Sequence, residues 1–108
     1  MGAVSSRSRL PRTVREMQPH AENAARLLRA LANEQRLMLL CNLLDGPLTV
    51  GELNARVPLS QSALSQHLGV LREAGVVTTE RQSQNIIYAL PPGTVTRIIR
   101  LLKEEFCD

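Results

Sequence analysis

Two thiols, two imidazoles and one run of small polar side chains are the parts of this chain able to do chemistry. The thiols are Cys41 and Cys107, and the imidazoles are His20 and His67. A zinc site takes about four nitrogen, sulfur or oxygen ligands in tetrahedral reach. These four side chains are the whole histidine and cysteine supply, so no metal and no other cofactor is expected. No nucleophile–base set, carboxylate pair or glycine-rich phosphate loop is visible, which makes an enzyme the remotest reading. The thiols leave two readings open. Cys41 lies among Leu37, Leu39, Leu40, Leu43 and Leu44, as a small core residue would. Cys107 follows Phe106 near the chain end, where a helix frays. The other reading gives the thiols a chemical role.

The polar run lies in residues 61–74. At about 100° per residue, Leu64, Leu68 and Leu71 share one side of a helix. Ser62, Gln66 and Gly69 fall opposite, with Ser65 on the flank and His67 nearer the leucines. A solvated helix face usually carries Glu and Lys, whereas this one is small, polar and free of acids. Gln pairs with adenine, Ser bonds bases or phosphates, and Gly permits close approach, so the face suits a DNA groove. A plain surface helix of low charge is the alternative.

The elements around that helix give it a setting. Residues 1–18 are rich in Ser, Arg and Pro without a period and read as a flexible tail, leaving 19–108 as the folded domain. Pro19 opens a helix whose Ala21, Ala24, Ala25, Leu28 and Leu31 follow helical spacing. Asn33 caps a second, nearly all-apolar helix that Asp45-Gly46-Pro47 stops. Thr49 and Glu52 have capping-box spacing, and Pro58 ends the short helix they begin. Ser60 caps the 61–74 helix, with Gly75 as its stop. A short helix, a three-residue turn and a longer helix outline a helix-turn-helix. Val76–Thr79 and Ile86–Tyr88 read as the strands of a hairpin, with Glu80–Asn85 as its polar turn. Arg81, Gln82 and Gln84 near its tip are placed to touch phosphate or minor groove, or form an ordinary solvated turn. After Pro91-Pro92, the residues Val95, Ile98, Ile99, Leu102 and Phe106 give a final amphipathic helix. The fold class is therefore mainly α with a small β-hairpin: a winged helix-turn-helix.

Composition bounds this reading without deciding it. The 108 residues are one domain's worth, with a core so modest that a second chain would help to bury more. The net charge is +3, but residues 1–16 hold four of the thirteen basic side chains against one of the ten acids. The remainder is neutral, with nine of each, and twelve of the thirteen bases are Arg, which suits phosphate and guanine. No apolar run reaches the roughly 18 residues of a membrane span, and residues 1–16 lack a signal-peptide core. The expected location is the cytoplasm, where thiols stay reduced by default.

Several segments together resemble the ArsR/SmtB family of bacterial repressors. They are Ala32-Asn33-Glu34-Gln35-Arg36-Leu37, Leu48-Thr49-Val50-Gly51-Glu52-Leu53, Leu59-Ser60-Gln61-Ser62-Ala63-Leu64-Ser65-Gln66-His67-Leu68 and Leu71-Arg72-Glu73-Ala74-Gly75-Val76-Val77. The resemblance covers roughly residues 20–107. It implies a homodimer built from the first and last helices, binding double-stranded DNA at a palindromic operator. It also places Gln61, Ser62, Ser65, Gln66 and His67 on the recognition helix. Metal-sensing members use a Cys-x-Cys in the first helix of the motif, or Asp and His along the last helix. Here those stretches are Glu52-Leu53-Asn54-Ala55-Arg56 and Thr94–Arg100, with no such ligands. A dithiol branch of the family carries cysteines that resemble Cys41 and Cys107, and there the pair responds to oxidants or reactive sulfur species. By itself, Glu105, Asp108 and the terminal carboxylate beside Cys107 would disfavour a thiolate. A regulator without a thiol switch, and a winged helix used only for protein contact, are the competing readings.

Overall fold

The computed structural model describes residues 10–107. Within the expected tail, residues 1–9 lie outside the described part, and Arg12–Met17 form a helix, α1. It buries no residue, and its Arg12 Nε meets Glu16 Oε1 at 2.7 Å. A 3₁₀ turn at Gln18–His20, with Pro19 in its first turn, leads into α2 (Ala21–Leu31). Asn33 caps α3 (Glu34–Asn42), its Oδ1 accepting the Arg36 amide at 3.0 Å.

Thr49 and Glu52 close both arms of the capping box that starts α4 (Val50–Arg56). The Glu52 amide donates to Thr49 Oγ1 at 3.1 Å, and the Thr49 amide to Glu52 Oε1 at 2.8 Å. Hydrogen bonding from the Thr49 amide, and then from its hydroxyl, holds the Glu52 carboxyl below the ordinary Glu range. Asn54 Nδ2 bonds the Leu59 carbonyl at 2.9 Å and so braces the turn into α5 (Gln61–Glu73). Ser60 Oγ accepts the Ala63 amide at 3.1 Å. Gly75, at φ +74°, ends α5 in a paired cap: the Val76 amide reaches the Leu71 carbonyl and the Gly75 amide the Arg72 carbonyl, both at 3.0 Å.

The hairpin differs from its expected bounds. Its strands are β2 (Thr78–Gln82) and β3 (Asn85–Ala89), so most of the polar segment is strand and the turn is only Ser83-Gln84. Ser83 takes φ +56° to make it. Val76 and Val77 instead precede the strand and are buried, anchoring the hairpin to the core. A third strand, β1 (Leu48–Thr49), pairs with β3 through Leu48↔Tyr88 and Thr49↔Ile87. The sheet order is β1-β3-β2. The last helix, α6, runs Thr94–Cys107.

One apolar cluster holds these parts, with Leu39, Leu40, Leu53, Leu64, Leu71, Val76 and Ile99 fully buried at its centre. The second helix is not buried all round as its composition predicts. Leu39 and Leu40 face inward, Leu37 and Cys41 are half-buried, and Met38 is exposed. Leu28 on α2 and Leu101 and Phe106 on α6 also face outward, Phe106 at 81% exposure.

Candidate nucleic-acid interface and thiol pocket

Helix α5 stands on the core through Leu64, Leu68 and Leu71, all buried. That fixes its rotation and turns Gln61, Ser62, Ser65, Gln66 and Gly69 to solvent. No acid occurs in the helix before Glu73, so the outward face presents hydrogen-bonding groups without repelling phosphate. Arg81, Gln82 and Gln84 are all exposed on the wing, the first two on β2 and the third in the turn.

Between α5 and the wing lies a cleft of about 580 Å³ lined by Asn54, Gln61, Ser65, Arg72, Ile86 and Tyr88 among others. Arg72 lies two turns beyond Ser65 along the same cleft wall. Sequence reading missed it, although an exposed Arg seven residues after a polar face position was a usable signal. A strand of DNA backbone set in this cleft would meet Arg72 as a phosphate partner.

His67 is the exception on α5. It is half-buried, and its Nδ1 lies 3.4 Å from Arg36 Nη1. Arg36 also donates from Nε to the Ala30 carbonyl at 2.6 Å and from Nη2 to the Arg29 carbonyl at 3.2 Å. It therefore satisfies the Ala30 carbonyl at the end of α2 and shares the Arg29 carbonyl with the Ala32 amide, where a cation is favoured. Nothing local in the sequence marks Arg36 for this role.

The two cysteines line one pocket. About 200 Å³ of almost wholly apolar space lies between α3 and α6, bounded by Leu37, Cys41, Ile99, Leu102, Lys103, Phe106 and Cys107. Both thiols are free, Cys41 half-buried and Cys107 exposed. Burial pushes the Cys41 thiol above its ordinary pKa, the nearby Cys107 adds to this, and Lys103 opposes it. Lys103 is the chain's only lysine and lies one turn before Cys107. It supplies at the pocket rim the positive charge that the carboxylates around Cys107 lack. His20 sits apart, in the 3₁₀ turn before α2. Among the described residues no group of three or more His, Cys, Asp or Glu side chains is arranged to hold a metal ion. None of the described helices is long and apolar enough to cross a membrane.

Comparison with known proteins agrees with this geometry. Residues 33–79 match the family of bacterial regulatory proteins described as the arsR family. The transcriptional activator HlyU of Vibrio cholerae serotype O1 is 47% identical over 98 residues, covering 91% of each chain. A biofilm growth-associated repressor of Agrobacterium fabrum is 46% identical over 91 residues, 84% of this chain and 78% of that one. Among solved structures, reduced HlyU from Vibrio cholerae N16961 superposes with a TM-score of 0.81 at 48% identity, covering 86% of this chain and 98% of HlyU. The transcriptional repressor BigR from Xylella fastidiosa gives 0.79 at 38% identity, covering 92% and 99%.

Proposed function

Because the chain belongs to the arsR family of bacterial regulatory proteins, we propose that it is a homodimeric repressor released from a palindromic operator when Cys41 and Cys107 become linked. DNA-binding transcriptional regulation by a winged helix is what family membership itself establishes. The dimer, the contact residues and the thiol gate are the proposal's own content.

The observation that carries the gate is the shared pocket of Cys41 and Cys107 between α3 and α6. α3 packs on α5, so a covalent link between α3 and α6 acts on the element that seats the reading helix. Two thiols surrendering two electrons and two protons reduce one peroxide to two waters, or one sulfane sulfur to hydrogen sulfide. A second sulfane sulfur retained in the link gives a longer bridge. Either link favours one packing of α6 against α3, and the operator loses affinity to the extent that it prefers the other. Gln61, Ser62, Ser65 and Gln66 are assigned to base edges or phosphates in the major groove, with His67 beside them on the same helix. Arg81, Gln82 and Gln84 are assigned to the flanking backbone or minor groove. The exposed Leu28, Leu101 and Phe106 are assigned to the dimer contact.

One observation favours a second reading, a regulator with no thiol switch: the raised Cys41 pKa suits an inert core thiol. A single experiment separates the two. Operator binding is titrated with reduced, peroxide-treated and persulfide-treated protein, and mass spectrometry reports the Cys41–Cys107 link in each. Release confined to linked protein, and abolished in Cys41→Ser, is the expected result. Equal affinity in all three samples, or unchanged release in Cys41→Ser, removes the gate. Salt-insensitive or absent DNA binding would remove the DNA assignment too and leave a protein-contact module.

A further inference from the structure

We propose that Arg36 is a positioning residue that fixes the recognition helix against the first core helix through His67. A guanidinium has five N–H donors and no acceptor. The 3.4 Å contact of Arg36 Nη1 with His67 Nδ1 therefore requires Nδ1 to be unprotonated and accepting. The ring's own N–H is then at Nε2. The same guanidinium holds the Ala30 and Arg29 carbonyls at the end of α2, and the Arg36 amide is held by Asn33. One side chain thus ties three elements: α2, α3 and α5.

The tie has a consequence for DNA binding that fold maintenance alone does not have. Two half-sites of an operator lie about 34–36 Å apart, so a dimer reads both only when its two recognition helices keep that spacing. Within each chain, the angle between α2, assigned to the dimer contact, and α5 contributes to the spacing. The Arg36–His67 contact is the polar bond that joins the first of these to the second. Arg36 also lies on the helix that carries Cys41, five residues earlier, so movement of α3 on thiol linkage is delivered to α5 at His67. This inference rests on the DNA-binding dimer reading for its effect on affinity, but the contact itself is tested without DNA.

The test uses the full chain and three variants. Nitrogen-15 NMR of the wild-type imidazole is expected to show His67 wholly as the Nε2–H tautomer, and Arg36→Met is expected to admit the Nδ1–H form. A tautomer that is mixed in the wild type, or unchanged in Arg36→Met, overturns the contact whatever the protein does with DNA. Binding is then compared on a full two-half-site operator and on a single half-site. Arg36→Met, which lies outside the recognition helix, is expected to weaken the full operator about tenfold, as loss of one charge-assisted hydrogen bond does, with half-site affinity within about twofold of wild type. His67→Ala is expected to weaken the full operator by at least as much. His67→Asn, whose amide oxygen replaces Nδ1 as acceptor, is expected to recover most of that loss. An equal fall on both DNAs in Arg36→Met overturns the positioning role. So does an Asn variant no better than Ala. If wild-type protein binds neither DNA while the tautomer is as expected, it is the DNA-binding reading that fails.

Discussion

Cys41 decides how fast any thiol chemistry can run, because the thiolate is the attacking species. Burial against Leu37 and Ile99 raises its pKa, Cys107 adds to the rise, and Lys103 counters both. With the ordinary value at 9.0, a raised pKa leaves the thiolate a minor form throughout the neutral range. Alkylation of Cys41 should therefore climb about tenfold per pH unit from pH 7 to 9 with no plateau. Mass spectrometry of the Cys41 peptide measures it, and a plateau below pH 8 would refute the assignment. Lys103→Met should slow the reaction at every pH, because the opposing charge is gone. The stability sign follows as well. A group whose folded pKa is raised contributes fully below its unfolded pKa and loses that contribution as pH climbs through the folded value. Cys41 thus adds an alkaline weakness to the fold. Sequence suggested both cysteines but neither Lys103 as their charged neighbour nor Arg36 as the partner of His67. Arg36 meets His67 across 31 residues, and no local pattern announces such a contact.

At the scale of elements, what depends on a few consecutive residues was legible. The caps at Asn33, Thr49 and Ser60 and the Gly75 stop follow from side-chain oxygens or a missing Cβ at fixed offsets. What depends on pairing was not. β1 is two residues long and exists because Leu48 and Thr49 meet Tyr88 and Ile87, forty residues on in the first case. β2 has five exposed residues, so backbone bonding to β3 rather than an apolar alternation makes it a strand. The reading helix depends on one of the legible caps. Ser60→Ala removes the acceptor for the Ala63 amide and should cost about 1 kcal/mol in chemical denaturation. Amide exchange should quicken at Ala63 while the centre of α5 stays protected. Protection unchanged at Ala63 would mean that packing, and not the cap, holds the N-terminus of α5.

At the scale of the whole molecule, the proposed dimer rests on apolar surface the single chain leaves open. Leu101 is 63% exposed and Phe106 81%, on the outward side of the helix whose Val95 and Ile99 are buried. Leu28 on α2, at 55%, adds a second element. An exposed side chain can be made charged with little effect on its own fold, whereas the same charge buried in a two-fold contact meets its copy or loses its water. Leu101→Glu is therefore expected to separate association from folding. Light scattering after size-exclusion chromatography should show wild-type dimer and mutant monomer, with helical circular dichroism retained. Operator affinity should fall by at least a hundredfold, because a monomer reads one half-site and loses the linked second contact. Half-site binding should change little, and the salt slope on the full operator should drop as phosphate contacts are lost. A Leu101→Glu protein that remains dimeric and binds the operator normally would move the dimer contact away from this face of α6. It would also free the pocket between α3 and α6 from any part in setting the distance between recognition helices.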